Sequence, residues 1–207
     1  MDDHIDIDLL SKNFKKNNIP VLLIEDRNAL IDFLHKSIPA NSVVGVGDSV
    51  TLEETGVYDF LRNGTYQFLD KYQPHLSKDE KRQLYINNFS ADFFLSGVNA
   101  VCMDGTIFNL DGNGSRVAPM IYGPEKVFLI AGLNKIVADA DAAYERIRTI
   151  AAPLDNIRLG KRNPCVKTGT CMDCKSKTKI CNYFTKIQGQ FDGKRIHLLL
   201  LKGKYGY

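Results

Sequence analysis

The sequence predicts an α/β fold built on a Rossmann-like, mainly parallel sheet. Short aliphatic runs at residues 19–24 and 43–46 alternate with segments of helical periodicity, an order typical of parallel strands joined by crossover helices. Val43, Val44 and Val46 form a β-branched apolar run, as in a strand that is covered on both faces. The 207 residues, 44% of them hydrophobic, are enough for one sizeable domain.

The other elements follow from apolar periodicity and from capping residues. The predicted helices span residues 5–14, Asp26 to Pro39, the segment opened by a Ser77–Glu80 capping box, and Asp139 to Pro153. The further predicted strands are 91–95, 126–131, 183–188 and 195–201, the last two forming a hairpin. The helix after Asp139 is expected to display Arg146 and Arg148 outward.

An inserted β-hairpin is expected to interrupt the parallel pattern. Asp104 and Gly105 lie between two alternating runs within residues 101–108, which is the signal of a type I′ turn.

The stretch 43–64 carries the first candidate site. After the strand, a turn is formed by Gly45, Gly47, Asp48 and Ser49. Thr51 and Glu54 then fit the capping box of a helix that stops at Gly64. Free backbone N–H groups at such a turn can bind a phosphate or carboxylate. The spacing matches neither the dinucleotide nor the P-loop fingerprint, so glycines that only make a tight turn are the alternative.

Charge and composition exclude several function classes. The net charge of +3 comes from 27 basic and 24 acidic residues, without the basic stripe of a nucleic-acid-binding surface. No apolar run approaches the roughly 20 residues of a membrane span. The acidic N-terminal sequence lacks the pattern of a signal peptide, so a cytoplasmic protein is expected.

Four of the five cysteines form the strongest chemical signal. Cys165, Cys171, Cys174 and Cys181 have the spacing C-x5-C-x2-C-x6-C. Thiolates bind Zn²⁺ tetrahedrally or hold an iron–sulfur cluster, and this spacing does not separate the two. Free or disulfide-linked thiols are the alternative. Cys102 lies in a predicted strand and is expected to be a small core residue.

The composition changes near residue 158. Residues 158–182 are polar, basic and poor in large apolar side chains, so they cannot bury a core of their own. The predicted organisation is an α/β domain over 1–157, with a Cys-rich segment and a C-terminal strand pair over 158–207 packing on it.

Four segments in order resemble the LUD-domain family, the lactate utilisation proteins of the LutC/YkgG type. They are GVGDSVTLEETG, ADFFLSGVNAVCMDGTI, DGNGSRVAPMIYGPEKVFLIAGLNKIV and PCVKTGTCMDCKSKTKICN, and the last is similar to the cysteine tail of one branch. The resemblance implies a fold similar to the sugar-phosphate isomerase and CoA-transferase superfamily (NagB/RpiA-like). It also implies a role near L-lactate oxidation to pyruvate, beside partner subunits that carry iron–sulfur clusters.

By the same resemblance, the turn and three later loops would bind the ligand. The candidate ligand-binding residues are Gly45, Gly47, Asp48, Ser49, Thr51, Glu54, Gly97, Asn99, Asn113, Gly114, Arg116, Asn134 and Lys135. Arg116 could pair with an anion in bidentate geometry, or be an ordinary surface arginine. Asp48 departs from the small residues common in this loop, and its carboxylate would repel an anion unless it points away.

Three functions remain open from the sequence. The first is a redox-associated component of 2-hydroxy-acid oxidation that binds a small anionic metabolite. The second is a transferase- or isomerase-like enzyme that binds a phosphorylated or CoA-type metabolite and carries structural zinc. The third is a non-catalytic scaffold with structural zinc. The strand 195–201 could be central or could pair across a homo-oligomer.

Overall fold

The computed structural model describes residues 5–207. The strands are β1 (Val21–Ile24), β2 (Val43–Val46), β3 (Gln67–Phe68), β4 (Phe93–Gly97), β5 (Ala100–Cys102), β6 (Ile107–Asp111), β7 (Lys126–Gly132), β8 (Ile136–Val137), β9 (Tyr183–Ile187) and β10 (Ile196–Leu201). The helices are α1 (Ile7–Lys16), α2 (Arg27–Ser37), α3 (Val50–Glu54), α4 (Val57–Asn63), α5 (Lys78–Asn87), α6 (Val117–Ile121), α7 (Ala140–Arg146), α8 (Ala152–Arg158) and α9 (Cys165–Thr168).

A six-stranded sheet in the order β1-β10-β7-β4-β2-β3 forms the centre of the molecule, and every pairing in it is parallel. The four inner strands, β10, β7, β4 and β2, are mostly buried because helices cover both faces of the sheet. Successive side chains of one strand point to opposite faces of the sheet and pack into two different hydrophobic cores. In β7, for example, Leu129 packs on one face while Phe128 and Ile130 pack on the other. The predicted α/β class with a mainly parallel sheet is confirmed.

The helices begin where the sequence places good capping residues. Asp26 and Asp139 accept hydrogen bonds from backbone amides in the first turns of α2 and α7, and Ser77 with Glu80 forms the predicted capping box of α5. Pro153 does not end the helix that follows Asp139, which was predicted to stop there. A π-helical turn at Ile147–Ala151 joins α7 to α8, and Pro153 follows directly after this turn, in the first turn of α8.

A second sheet, in the order β8-β5-β6-β9, contains the inserted hairpin. β5 and β6 pair antiparallel, as predicted, but the turn is not type I′. Only Gly105 has a positive φ, of 89°, and Asp104 instead accepts hydrogen bonds from the amide and hydroxyl of Thr106. A three-residue loop with glycine in the left-handed region replaces the predicted two-residue turn.

The last two strands do not form the predicted hairpin. β9 pairs antiparallel with β6 in the second sheet, whereas β10 lies between β1 and β7 in the central sheet. Of the two positions left open for the strand at 195–201, the structure shows the central one. None of the helices in residues 5–207 has the length and apolar character that crossing a bilayer requires.

Candidate functional site

A pocket of about 560 Å³ lies where the central strands β2 and β4 end. Carboxyl ends of parallel strands are the usual place for a ligand site in an open α/β sheet. The π-helical turn, α8 and residues 177–180 of the Cys-rich segment form the opposite wall. Eight of the candidate residues line the pocket: Asp48, Ser49, Thr51, Gly97, Asn99, Asn113, Arg116 and Lys135.

Lys135 lies on the floor of the pocket and is 3% exposed. Its Nζ donates hydrogen bonds to Thr51 Oγ1 at 2.7 Å and to the Val98 carbonyl at 2.9 Å. Burial, and then the charges of Arg146 and Arg116, lower the pKa of Lys135 to about 7. This amine can therefore exist with or without its proton near neutral pH.

Thr51 and Glu54 are not a capping box, which corrects the sequence prediction. Ser49 is the N-cap of α3 and accepts a hydrogen bond from the Leu52 amide at 3.4 Å. Thr51 lies inside the helix, where its hydroxyl bonds Lys135. Glu54 Oε2 accepts a hydrogen bond from the Gly206 amide at 2.6 Å, so both side chains make tertiary contacts instead.

Lys71 is the second buried amine of the pocket, although it follows β3 in a polar loop. Its Nζ lies 5.3 Å from the ring centre of Tyr72 and 5.7 Å from that of Tyr85. Burial lowers the pKa of Lys71 to about 8, even though the carboxylate of Asp48 acts in the opposite direction.

Asp48 faces the pocket, but its charge is already compensated. Arg158 Nη2 donates to Asp48 Oδ2 at 3.0 Å, and the Tyr72 hydroxyl donates to Asp48 Oδ1 at 2.9 Å. Burial raises the pKa of Asp48, yet Lys71 and Arg158 outweigh burial and hold it below the ordinary value. The hydroxyls of Tyr72 and Tyr58 lie 3.1 Å apart, and the Ser49 amide donates to Tyr58, which fixes the turn.

Arg116 is neither a free anion clamp nor a surface arginine. Its guanidinium donates to the Gly97 and Leu110 carbonyls and to the Asn99 and Asn109 side chains, at 2.8–3.3 Å. The Asp111 carboxylate lies 3.6 Å from Nε. These partners use most of the N–H donors of the guanidinium, so Arg116 has little capacity for a bidentate bond to a ligand. Its positive charge still contributes to the electrostatic potential of the pocket.

Five candidate residues lie outside the pocket lining: Gly45, Gly47, Glu54, Gly114 and Asn134. Two of them keep the strand end closely packed. A Cβ at Gly47 would come within 2.3 Å of Ser96 Oγ and 2.7 Å of Arg116 Cγ, and one at Gly45 within 2.3 Å of Asn88 Oδ1. Asn134 instead holds the chain after β10, because its side chain bonds the Tyr205 amide and the Gly206 carbonyl.

The pocket carries an excess of positive charge. Six of the side chains that line it are cationic and three are carboxylates. Arg158 or Arg116 compensates each carboxylate, at 2.7–3.6 Å. Among residues 5–207, by contrast, no lysine of the pocket has a carboxylate oxygen within 4 Å of its amine. These lysines are Lys71, Lys135, Lys161, Lys177 and Lys179.

The four clustered cysteines are gathered beside this pocket as free thiols. Cys171, Cys174 and Cys181 line a second cavity of about 220 Å³. Burial, and then the charges of the other three thiolates, raise the pKa of Cys165. However, no three His, Cys, Asp or Glu side chains in residues 5–207 are arranged as a finished metal site. Cys102 is fully buried in β5, as expected of a core residue.

Sequence reasoning missed several residues of the pocket. Lys71, Tyr85, Asp155, Lys161, Lys177, Thr178, Lys179 and Tyr207 all line it. Arg146 was expected to point outward, but it is buried and donates to the Asn99 and Asn134 carbonyls. The excess of lysine over residues 161–179 was visible in the sequence. Only the fold shows that part of this segment faces the strand ends.

Comparison with known proteins identifies the family of this chain. The LUD-domain profile matches residues 7–201, nearly the whole chain. The chain belongs to the LUD-domain family. No curated protein sequence matches it significantly.

One solved structure supports a shared fold, and two others are similar over about half of the chain. A DUF162-family protein from Deinococcus radiodurans is 14% identical with a TM-score of 0.53, and the match covers 95% of this chain and 96% of that chain. Ribose 5-phosphate isomerase from Plasmodium falciparum is 12% identical with a TM-score of 0.34, covering 55% of this chain and 53% of that chain. Ribose 5-phosphate isomerase A from Neisseria gonorrhoeae is 14% identical with a TM-score of 0.30, covering 52% and 51%.

Proposed function

We propose that this LUD-domain protein binds a small anionic metabolite in the lysine-lined pocket, as a component of L-lactate oxidation to pyruvate. The observation that carries the proposal is the set of pocket lysines without carboxylate partners. Two of these lysines, Lys71 and Lys135, are buried. A buried cation with no counter-charge is costly, and a bound anion would remove that cost. The family resemblance to lactate utilisation proteins of the LutC/YkgG type supplies the class of anion, a 2-hydroxy acid.

The chemistry of a 2-hydroxy acid fits the two buried amines. Protonated Lys71 or Lys135 would pair with its carboxylate. A neutral Lys135, whose pKa is about 7, would accept the hydroxyl proton when the substrate is oxidised. Oxidation of L-lactate to pyruvate breaks the O–H and C2–H bonds and releases two electrons and two protons. Lys135 would take the hydroxyl proton, and the proton from C2 would pass to water. The resemblance implies that the electrons pass to iron–sulfur partner subunits, so this chain supplies binding and proton transfer.

The size of the pocket favours a second candidate function. A volume of about 560 Å³ lies within the range of sites that hold ligands much larger than a three-carbon acid. A phosphorylated or CoA-type metabolite would use the rim lysines as well as the floor. The protein would then be a transferase- or isomerase-like enzyme, in which the near-neutral Lys135 acts as an acid or base.

Calorimetric titration with a panel of anions tests both functions. The panel contains L-lactate, D-lactate, pyruvate, ribose 5-phosphate, pyrophosphate and coenzyme A, at constant ionic strength. Preference for L-lactate and pyruvate supports the first function, and preference for a phosphorylated compound supports the second. Binding of none of the six contradicts both.

Matched lysine variants assign the binding to the pocket. Lys135→Met keeps the length and apolar stem of the side chain and removes its charge, so we expect at least about a thirtyfold loss of affinity. Lys126→Met is the control, because Lys126 is exposed at the start of β7. Equal binding by Lys135→Met and the wild type would place the anion elsewhere and overturn the proposal.

A further inference from the structure

The Cys-rich segment lacks the packing that normally fixes a loop. Between the single turn of α9 and the start of β9 it forms no helix or strand, and Cys165 is the only buried apolar residue from 161 to 182. Fourteen residues without regular structure in a small domain are uncommon unless they serve a function. The position of this segment therefore depends on a few polar contacts and on its thiols.

Two asparagines and one arginine hold the segment to the rest of the domain. Arg148 pairs with the Asp173 carboxylate, and its carbonyl accepts a hydrogen bond from the Cys171 amide at 2.9 Å. Asn163 is buried and donates to Asn156 Oδ1 at 2.6 Å, while its own Oδ1 accepts from the hydroxyls of Ser176 and Thr178. At the other end, Asn182 donates from its side chain to the Gly112 carbonyl at 2.9 Å. Asn163 therefore ties the start of the segment to residues 176 and 178, and Asn182 ties its end to the residue after β6, with the four cysteines between these anchors.

Three of the four thiols line one cavity. Cys171, Cys174 and Cys181 border the space of about 220 Å³, and Cys165 is the buried thiol near the start of the same segment. Four sulfurs complete a tetrahedral shell around a metal ion.

The same segment forms a wall of the anion pocket. Lys177, Thr178, Lys179 and Ile180 line that pocket, whereas Cys174 and Cys181, on either side of them in the chain, line the cysteine cavity. Lys179 borders both spaces, together with Leu110 and Ala152. A change that moves the thiols must therefore move the lysines of the wall.

We propose that the four clustered cysteines bind a thiophilic metal centre, which fixes the lysine wall and thereby strengthens anion binding. The metal site does not depend on the proposed function, but its coupling to the pocket does. The thiols are gathered without forming a finished shell, so metal binding would draw the loop inward. The shared chemistry is four-thiolate ligation, which suits Zn²⁺ or an iron–sulfur cluster.

Anaerobic purification followed by metal and sulfide analysis is the first test. We expect about one metal centre per chain and its loss in the Cys171→Ser/Cys174→Ser double variant. Cys102→Ser is the matched control, because Cys102 is buried in β5 away from the cluster. A colourless zinc protein supports the zinc form, and a brown protein with iron and sulfide supports the cluster form. A chain that takes up neither metal overturns the site.

Cobalt uptake by the intact wild-type chain keeps the test valid if the double variant misfolds. Tetrahedral thiolate ligation gives Co²⁺ intense visible and near-ultraviolet bands, which a site built from oxygen ligands would not give. Absence of these bands, with all four thiols reduced, counts against a four-thiolate shell for a single ion and leaves only the cluster form. Metal analysis of the anaerobic protein then decides that form.

Titration of the metal-loaded and chelator-treated forms tests the coupling. With L-lactate and pyrophosphate as probes, we expect affinity to fall about tenfold on metal removal, within the usual range of coupling between sites. Equal affinities in the two forms overturn the coupling and leave the metal site. If the loaded protein binds metal but none of the six anions of the calorimetric panel, the proposed function fails while the metal site stands.

Discussion

The two walls of the pocket are built in different ways. The wall at the strand ends places Lys135 and Thr51 on short helical turns beside β7 and β2, and both side chains are almost fully buried. Hydrogen bonds of 2.7–2.9 Å join them to each other and to the Val98 carbonyl. The opposite wall places Lys177 and Lys179 on a loop without regular structure. Asn163 and Asn182 hold this loop near its ends, and Arg148 holds its middle through an ion pair with Asp173.

The strand-end wall is therefore the rigid one, and the loop wall is the one that can move. Groups on packed elements hold their positions because moving them would disturb the core, so they suit the chemical step. Groups on a loop can be repositioned by a small change in free energy, so they suit closure or regulation. Substitutions in either wall, or in the charge between the walls, should therefore differ in their effects on stability and on anion affinity.

Gly47→Ala should damage the strand-end wall most. The new Cβ would lie 2.3 Å from Ser96 Oγ and 2.7 Å from Arg116 Cγ, so we expect a loss of about 3 kcal/mol in the free energy of unfolding. Gly169→Ala is the counterpart near the loop wall. It strains a residue with a φ of 74° but meets no neighbouring atom, and should cost about 1 kcal/mol.

Chemical denaturation of the two glycine variants provides the measurement. Similar losses would contradict the idea that only the strand-end wall is closely packed.

Asn163→Ala should release the loop wall while the central sheet stays folded. Removing the side chain breaks its bonds to Asn156 and Thr178, and we expect a local cost of about 2 kcal/mol, or roughly thirtyfold more open loop. Limited trypsin digestion measures this, because cleavage at Lys175, Lys177 and Lys179 should accelerate.

Asn87, which is partly buried and pairs with Gln83, provides a matched control as Asn87→Ala. An unchanged cleavage rate in Asn163→Ala would show that other contacts fix the loop.

Anion affinity should decline with rising pH through the buried lysines. Lys135, with a pKa of about 7, and Lys71, with a pKa of about 8, are cationic below these values and neutral above them. A bound anion favours the cation, so the affinity for L-lactate should be highest below about pH 7. Above each pKa, the affinity should fall by up to about tenfold per pH unit for each lysine that must take up a proton to bind the anion.

Titration of L-lactate at several pH values tests this, since lactate itself stays ionised. Lys71→Met should remove the step near pH 8 and retain the step near pH 7. A pH-independent affinity in the wild type would exclude both amines as the anion's partners.

Asp48→Asn should produce the smallest change, a gain of about threefold in anion affinity. The substitution removes a carboxylate that faces the pocket, but Arg158 and Tyr72 already compensate much of its charge. Titration with pyrophosphate measures the gain, and Asp59→Asn, which changes a carboxylate outside the pocket lining, controls for net charge. A loss of affinity would mean that Asp48 helps to hold the ligand.

The sequence predicted the strand-end wall better than the loop wall. β2, the turn after it and the loops that end β4 and β7 are local patterns, and glycine and small polar residues mark them. Lys71 has no such mark, because burial beneath Tyr72 and Tyr85 is a property of the packed fold. Thr51 and Glu54 were assigned to a cap because sequence spacing cannot show that Lys135 and Gly206 recruit their side chains.

The position of β10 was also beyond the sequence. Its run of leucines fits a buried strand in any register, and a hairpin with β9 is the nearest local choice. In the structure, β10 instead forms backbone hydrogen bonds with β1 along one edge and with β7 along the other, and these two strands are far apart in the chain. Long-range pairing of this kind depends on the whole core, which a local pattern does not encode.

The central place of β10 has a consequence for biosynthesis. During translation, β1 and β7 emerge from the ribosome long before residues 196–201, and until then both strands expose an unpaired edge where β10 will insert. The nascent chain thus passes through a state with a gap in its sheet, and such edges invite pairing with other chains. Chaperone occupancy should persist until the strand Ile196–Leu201 has left the exit tunnel and closed the gap.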